Sequence, residues 1–258
     1  MPATLLSTAN GYLPAFFLRS AGDFSEVGVY TMAVTLASCV SVFSSGINAF
    51  WPPYVFKNYR TNQGSIQLFH RAVVLVITAI VLVMMALKDQ LLIILGPGYA
   101  TASQYLPMLL IVPFAYTVGE TAGIGIHLAK KGYLLLAAYA LGITVNLAVG
   151  LLLVPRFGAF GAAMSAAACS IVVVAAKACL GEREYRSIAS WRHMVGSLAI
   201  LLLLSVASGC GVTGLPFTGL CLAGLVALLI LFGKADLLEL AGFSKKAFSS
   251  LLLRRSNR

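Results

Sequence analysis

Eight apolar stretches, roughly 17 to 25 residues each, follow one another along this chain with only short polar breaks between them. A helix rises about 1.5 Å per residue, so such a stretch matches a hydrocarbon layer ~30 Å thick. A barrel strand needs only about 10 residues of alternating character and does not fit the pattern. With 60% hydrophobic and 10% charged side chains and a mean hydropathy of +0.93, the chain lies outside the range of a water-soluble domain. The expectation is an all-α polytopic membrane bundle of about eight transmembrane helices.

The spans are predicted at Ala3 to Leu18, Val27 to Val55, Leu68 to Leu87, Leu106 to Leu128, Tyr133 to Val154, Gly161 to Leu180, Met194 to Val212 and Leu215 to Phe232. The first has no basic residue ahead of it and does not read as a signal peptide. Gly209, Gly211, Gly214 and Pro216 predict a tight hairpin between the last two.

Lys and Arg set the orientation. With a cytoplasmic N-terminus, fifteen of them fall inside and only Arg19, Lys88 and Arg156 fall outside. That bias predicts both termini in the cytoplasm. The net charge of +10 is then a cytoplasmic face suited to anionic lipid headgroups, and no nucleic-acid partner is expected. The basic tail, 234–258, reads as an amphipathic cytoplasmic helix on the inner leaflet, and "KNYRTNQGSIQLFHR" as an interfacial connection ahead of the third span.

Catalytic chemistry is scarce. His70, His127 and His193 fall at helix ends without ligand spacing, and Cys39, Cys169, Cys179, Cys210 and Cys221 show no paired motif. No phosphate loop, nucleotide fingerprint or nucleophile elbow occurs. No enzyme activity, metal or cofactor is expected.

Polar stripes on apolar helices are the positive signal. Tyr30, Ser38, Ser41, Ser45 and Asn48 recur at helical intervals in the second span. Ser7 and Asn10 in the first span, Tyr116 and Glu120 in the fourth, and Tyr139 and Asn146 in the fifth add to them. A polar face in lipid turns toward protein or water, either as interhelical hydrogen bonds or as a hydrated cavity. The cavity residues expected are Glu120, Tyr116, Asn10, Ser41, Ser45, Asn48 and Asn146. Glu120 lies about three residues, or ~4.5 Å, past the middle of its span. At that depth it is protonated, or it faces water or a cation. Lys177 lies inside a span, near enough to its cytoplasmic end to snorkel out. Gly161, Ser165 and Cys169 form a small-residue ridge for close helix packing.

Three segments then carry a resemblance. "GVYTMAVTLASCVSVFSSGINAFWPPYVFK" (28–57), "LGPGYATASQYLPMLLIVPFAYTVGETAGIGIHLAKKG" (95–132) and "TVNLAVGLLLVPRFGAFGAAMSA" (144–166) resemble, in this order, regions of polysaccharide and O-antigen flippases. These belong to the multidrug, oligosaccharidyl-lipid and polysaccharide exporter superfamily. The resemblance implies residues 1–180 as a six-helix bundle like the second half of such a flippase, 181–233 as two extra terminal helices, and 234–258 as the tail. It implies a transporter that moves undecaprenyl-pyrophosphate-linked oligosaccharide across the cytoplasmic membrane of a prokaryote by alternating access, inactive without a first half. Its partners would be the lipid-linked oligosaccharide, membrane lipids, and glycan polymerase or glycosyltransferases. The cations that offset the pyrophosphate are expected in that first half. A lipid II flippase, a cation-coupled multidrug exporter and a non-transporting assembly subunit are the alternatives.

Overall fold

In a computed structural model, the protein is described for the backbone of residues 2–20 and 24–256 and for the side chains of 5–20, 24–233, 236 and 239. It is all-helical, with no strand among the described residues. The helices are α1 (Pro2–Ser20), α2 (Phe24–Ser38), α3 (Ser41–Asn58), α4 (Gln63–Ala86), α5 (Lys88–Leu95), α6 (Leu106–Ala122), α7 (Ile124–Leu128), α8 (Gly132–Glu184), α9 (Trp191–Gly209) and α10 (Gly214–Ser256). A 3₁₀ segment, Pro97–Gln104, joins α5 to α6. By length and composition four helices suit a membrane crossing (α4, α8, α9 and Gly214–Gly233 of α10), or five when α2 and α3 count as one bent span. The protein is therefore a multi-pass, membrane-embedded helical bundle.

Several predicted stretches are interrupted. The second bends by 42° between α2 and α3, and the fourth breaks at Gly123 between α6 and α7. The fifth and sixth are the two arms of α8, which turns at Gly158 (φ 54°, ψ −130°). A Cβ on Gly142 would meet Val173 and Cys169, and one on Gly161 would strike the Leu153 carbonyl at 2.4 Å, so the arms lie back to back and antiparallel. Glu26 of α2 closes the turn: its Oε1 accepts from the Ala159 amide at 2.7 Å, a carboxylate at the N-terminus of the second arm. The interfacial insert ahead of the third span shrinks to the short turn between Asn58 and Gln63, because "QGSIQLFHR" is helical and belongs to α4. The connection 88–105 is likewise largely helical.

Contacts group the turns at two ends of the bundle. At one end Lys131 pairs with Glu184 (2.8 Å), Gln63 and Gln67 donate to the Arg186 carbonyl (3.1 and 3.3 Å), and Tyr185 donates to the Tyr59 carbonyl (3.0 Å). Arg71 and His193 hold Asp236 there, at 2.6 and 3.1 Å, just past a helix break at Gly233. At the other end Lys88 donates to the Ser103 carbonyl, and Asp89 accepts from the Gly214 amide (2.9 Å each). Leu82, Leu110, Leu201 and Phe217, from α4, α6, α9 and α10, belong to one continuous buried core. The tail's side chains beyond Glu239 lie outside the described residues, and the amphipathic face expected there with them.

Candidate functional site

The crossing of α6 and α7 with the second arm of α8 sets up the site. A Cβ on Gly125 would lie 2.1 Å from the Gly181 carbonyl oxygen, and one on Gly181 would lie 2.9 Å from Gly123 Cα. Three glycines thus let the two backbones touch, as small residues do at helix contacts in membranes. This approach brings Glu120, one turn before Gly123, against Lys177, one turn before Gly181. Lys177 Nζ donates to Glu120 Oε1 at 2.6 Å, and Lys177 is only 2% exposed.

Lys177 therefore does not snorkel. A lysine stem of four methylenes reaches either way, and here the carboxylate facing it from α6 decides the direction. The ammonium also lies 5.4 Å from the Tyr139 ring centre and 6.0 Å from that of Tyr116, within cation–π range. Of the alternatives open to Glu120 from sequence, the geometry selects a cation.

Lys177 lines a cavity of about 380 Å³ to which α1, α2, α3, α6 and both arms of α8 contribute. Tyr116, Asn10, Ser41 and Asn146 also line it, together with Ser7, Tyr30, Ser38, Tyr139 and Cys169. Its wall is otherwise apolar, with Val34, Leu109, Val112 and Val173 among the contributors. Glu120 is not part of the wall and reaches the cavity through Lys177. Ser45 is exposed and Asn48 half-buried on α3, both outside the lining; Asn48 meets the site by donating to Tyr116 Oη at 3.4 Å.

A second polar cluster lies farther along the cavity. Asn146 Nδ2 donates to Asn10 Oδ1 (2.7 Å) and to the Asn10 carbonyl (3.1 Å), while Asn10 Nδ2 donates to Cys169 Sγ. Asn146 is 1% exposed, and its Oδ1 has no hydrogen-bond partner. A buried bare carbonyl of this kind has a use for an incoming donor.

Of the stripe, Tyr30, Ser38 and Ser41 line the cavity and Asn48 bonds across to Tyr116, while several hydroxyls of α2 and α3 also bond their own backbone. Thr31 donates to the Val27 carbonyl (2.8 Å), Thr35 to Thr31 (2.9 Å), Ser38 to Thr35 (2.6 Å) and Ser45 to Ser41 (3.1 Å), all within their own helix. Such back-bonding lets a hydroxyl face lipid at little cost. Ser44 is the exception: Thr117 Oγ1 donates to the Pro113 carbonyl, so Ser44 donates to Thr117 and ties α3 to α6. Likewise Thr121 donates to Val118, so His70 Nδ1 is the donor to Thr121 at 2.8 Å.

The signal that would have found Lys177 was present. A lone carboxylate and a lone ammonium carried within spans of one small bundle each need the other. Compared with known proteins, the chain matches no family model, no curated protein and no solved structure.

Proposed function

We propose that the chain is a membrane transporter of the polysaccharide-flippase type, accepting an undecaprenyl-pyrophosphate-linked oligosaccharide in the cytoplasmic membrane of a prokaryote. In this reading the arms of α8 count as two spans, α1 and α6–α7 as one each, and eight crossings leave both termini cytoplasmic. The grouping of turns at two ends supports that count. The observation that carries the functional reading is the buried Lys177, which lines a 380 Å³ cavity beside amide and hydroxyl groups. A phosphate-bearing headgroup crossing a low-dielectric interior needs a cation, and the sugar needs hydrogen-bonding groups and aromatic faces. Tyr30, Tyr116 and Tyr139 supply the faces. Glycan polymerases and glycosyltransferases are the partners that would use and supply such a substrate. A drug exporter for organic cations fits less well, because Glu120 is already neutralised by Lys177.

The test is leaflet exchange in membrane vesicles from the host cell, with labelled lipid-linked oligosaccharide added to the cytoplasmic side. Removing the protein, or replacing it by Lys177→Met, is expected to slow outward appearance by about tenfold or more, equivalent to about 1.4 kcal/mol in the barrier. Exchange at the parental rate in vesicles lacking the protein rejects the reading.

A further inference from the structure

Building on that transport reading, we propose that anion entry and proton uptake at this cavity are one event: an anionic headgroup replaces Glu120 on Lys177, and the released Glu120 takes up a proton. The argument is one of charge. Lys177 is the only cation among the described lining residues, and its charge is matched by Glu120 at 2.6 Å. A monoanion that reaches Lys177 while Glu120 stays ionised leaves two negative charges against one positive charge in a low-dielectric space. Protonating Glu120 restores neutrality for a monoanion, and removes one of the excess negative charges for a pyrophosphate diester, which carries two; Lys177 keeps its own proton because an anion lies against it before and after. One O–H bond forms on Glu120, the proton comes from the aqueous phase, and nothing is oxidised or reduced.

The groups facing Glu120 leave this as the economical route. Lys177 and Tyr139 approach from the two arms of α8, His127 from α7, and Tyr116 from its own helix, with Asn48 of α3 bonded to Tyr116. His70 of α4 is held away from it by Thr121. No second described cation lines the cavity to take over the carboxylate once Lys177 is occupied.

The full chain in nanodiscs of zwitterionic phosphatidylcholine is titrated calorimetrically with dibutyl phosphate, a phosphodiester that stays monoanionic from about pH 6 to about pH 9, in two buffers of different ionisation enthalpy. The expected result is uptake of about one proton per anion bound, with affinity falling about tenfold per pH unit. Glu120→Gln, a neutral mimic of the protonated acid, is expected to bind without proton uptake and without the pH slope. The neutral pair Glu120→Gln/Lys177→Met is expected to fold and not bind. Wild-type binding without proton uptake, or no binding at any of these pH values, overturns the inference. If binding is proton-free while leaflet exchange in host vesicles depends on the protein, the transport reading stands and only the linkage falls. Proton-coupled binding with exchange unaffected by removal of the protein does the reverse.

Discussion

Lys88 and Lys177 are both buried, at 0% and 2% exposure, yet their surroundings lead to opposite expectations on mutation. Lys88 Nζ donates to the Ser103 carbonyl (2.9 Å) and to Ser208 Oγ (2.5 Å) and lies 4.0 Å from the centre of the Phe217 ring. Its neighbour Asp89 is committed to Ser103 Oγ and the Gly214 amide, so no carboxylate is bonded to the ammonium. Burial pushes the Lys88 ammonium below its ordinary range. The unfolded chain then holds that proton more tightly than the folded one. Stability is greatest above the ordinary lysine range and falls as pH drops through the lowered folded value. Lys88→Met is expected to flatten this dependence and to leave stability within about 1 kcal/mol of the parent or better, since Ser208 still donates to the Ser103 carbonyl. Lys88→Ala instead opens a void and is expected to cost about 2–4 kcal/mol. Denaturant unfolding in micelles across the alkaline range checks both. Sequence alone marked Glu120 as anomalous by its depth in an apolar run. It missed both buried lysines because Lys88 was assigned to a loop outside and Lys177 to the cytoplasmic end of its span, and neither position says which way a long flexible stem turns.

At the scale of the helix, apolar runs announced that helices exist but not every place where they break: the turn at Gly158 lies in the gap predicted between the fifth and sixth spans, whereas the bend after Ser38 and the break at Gly123 fall inside predicted spans. Glycine content did signal close approach, and the structure assigns it to a particular crossing. Gly125→Ala would put a methyl 2.1 Å from the Gly181 carbonyl, a backbone atom with no rotamer to yield. It is expected to destabilise by about 1–3 kcal/mol or more and to separate Glu120 from Lys177. Gly46→Ala, with nothing within 4 Å of the added carbon, is the control. It is expected to stabilise α3 by about 0.5–1 kcal/mol. Unfolding in micelles reports the first effect, and loss of anion binding the second. The polar stripe on α2 and α3 was legible as a periodicity, and its Tyr30, Ser38 and Ser41 line the cavity; hydrogen bonds to a helix's own carbonyls leave no trace in that pattern, and Ser45, bonded to Ser41, lies outside the lining.

For the molecule as a whole, the two ends defined by ion pairs and capping contacts predict where aqueous reagents reach. The turn at Lys130 and Lys131, the Arg186 region and both termini are expected on the cytoplasmic side, and exposed Arg156 beside Gly158 on the other. Single cysteines placed in a background lacking the five native ones, probed with a membrane-impermeant maleimide in intact cells, should label at 156 and not at 131. External labelling at 131 inverts the arrangement. The same fold also fixes an order in time. Glu120 and its partner are 57 residues apart, and at synthesis rates of about 5–20 residues per second roughly 3–11 seconds separate their emergence from the ribosome. For that interval the membrane-insertion machinery holds a carboxylate with no counterion, and the second arm of α8 delivers the ammonium as the last-made residue of the cavity wall. The carboxylate thus precedes its counterion in the nascent chain, and a translational pause between the two lengthens the time that Glu120 spends without the one ammonium that the fold supplies to it.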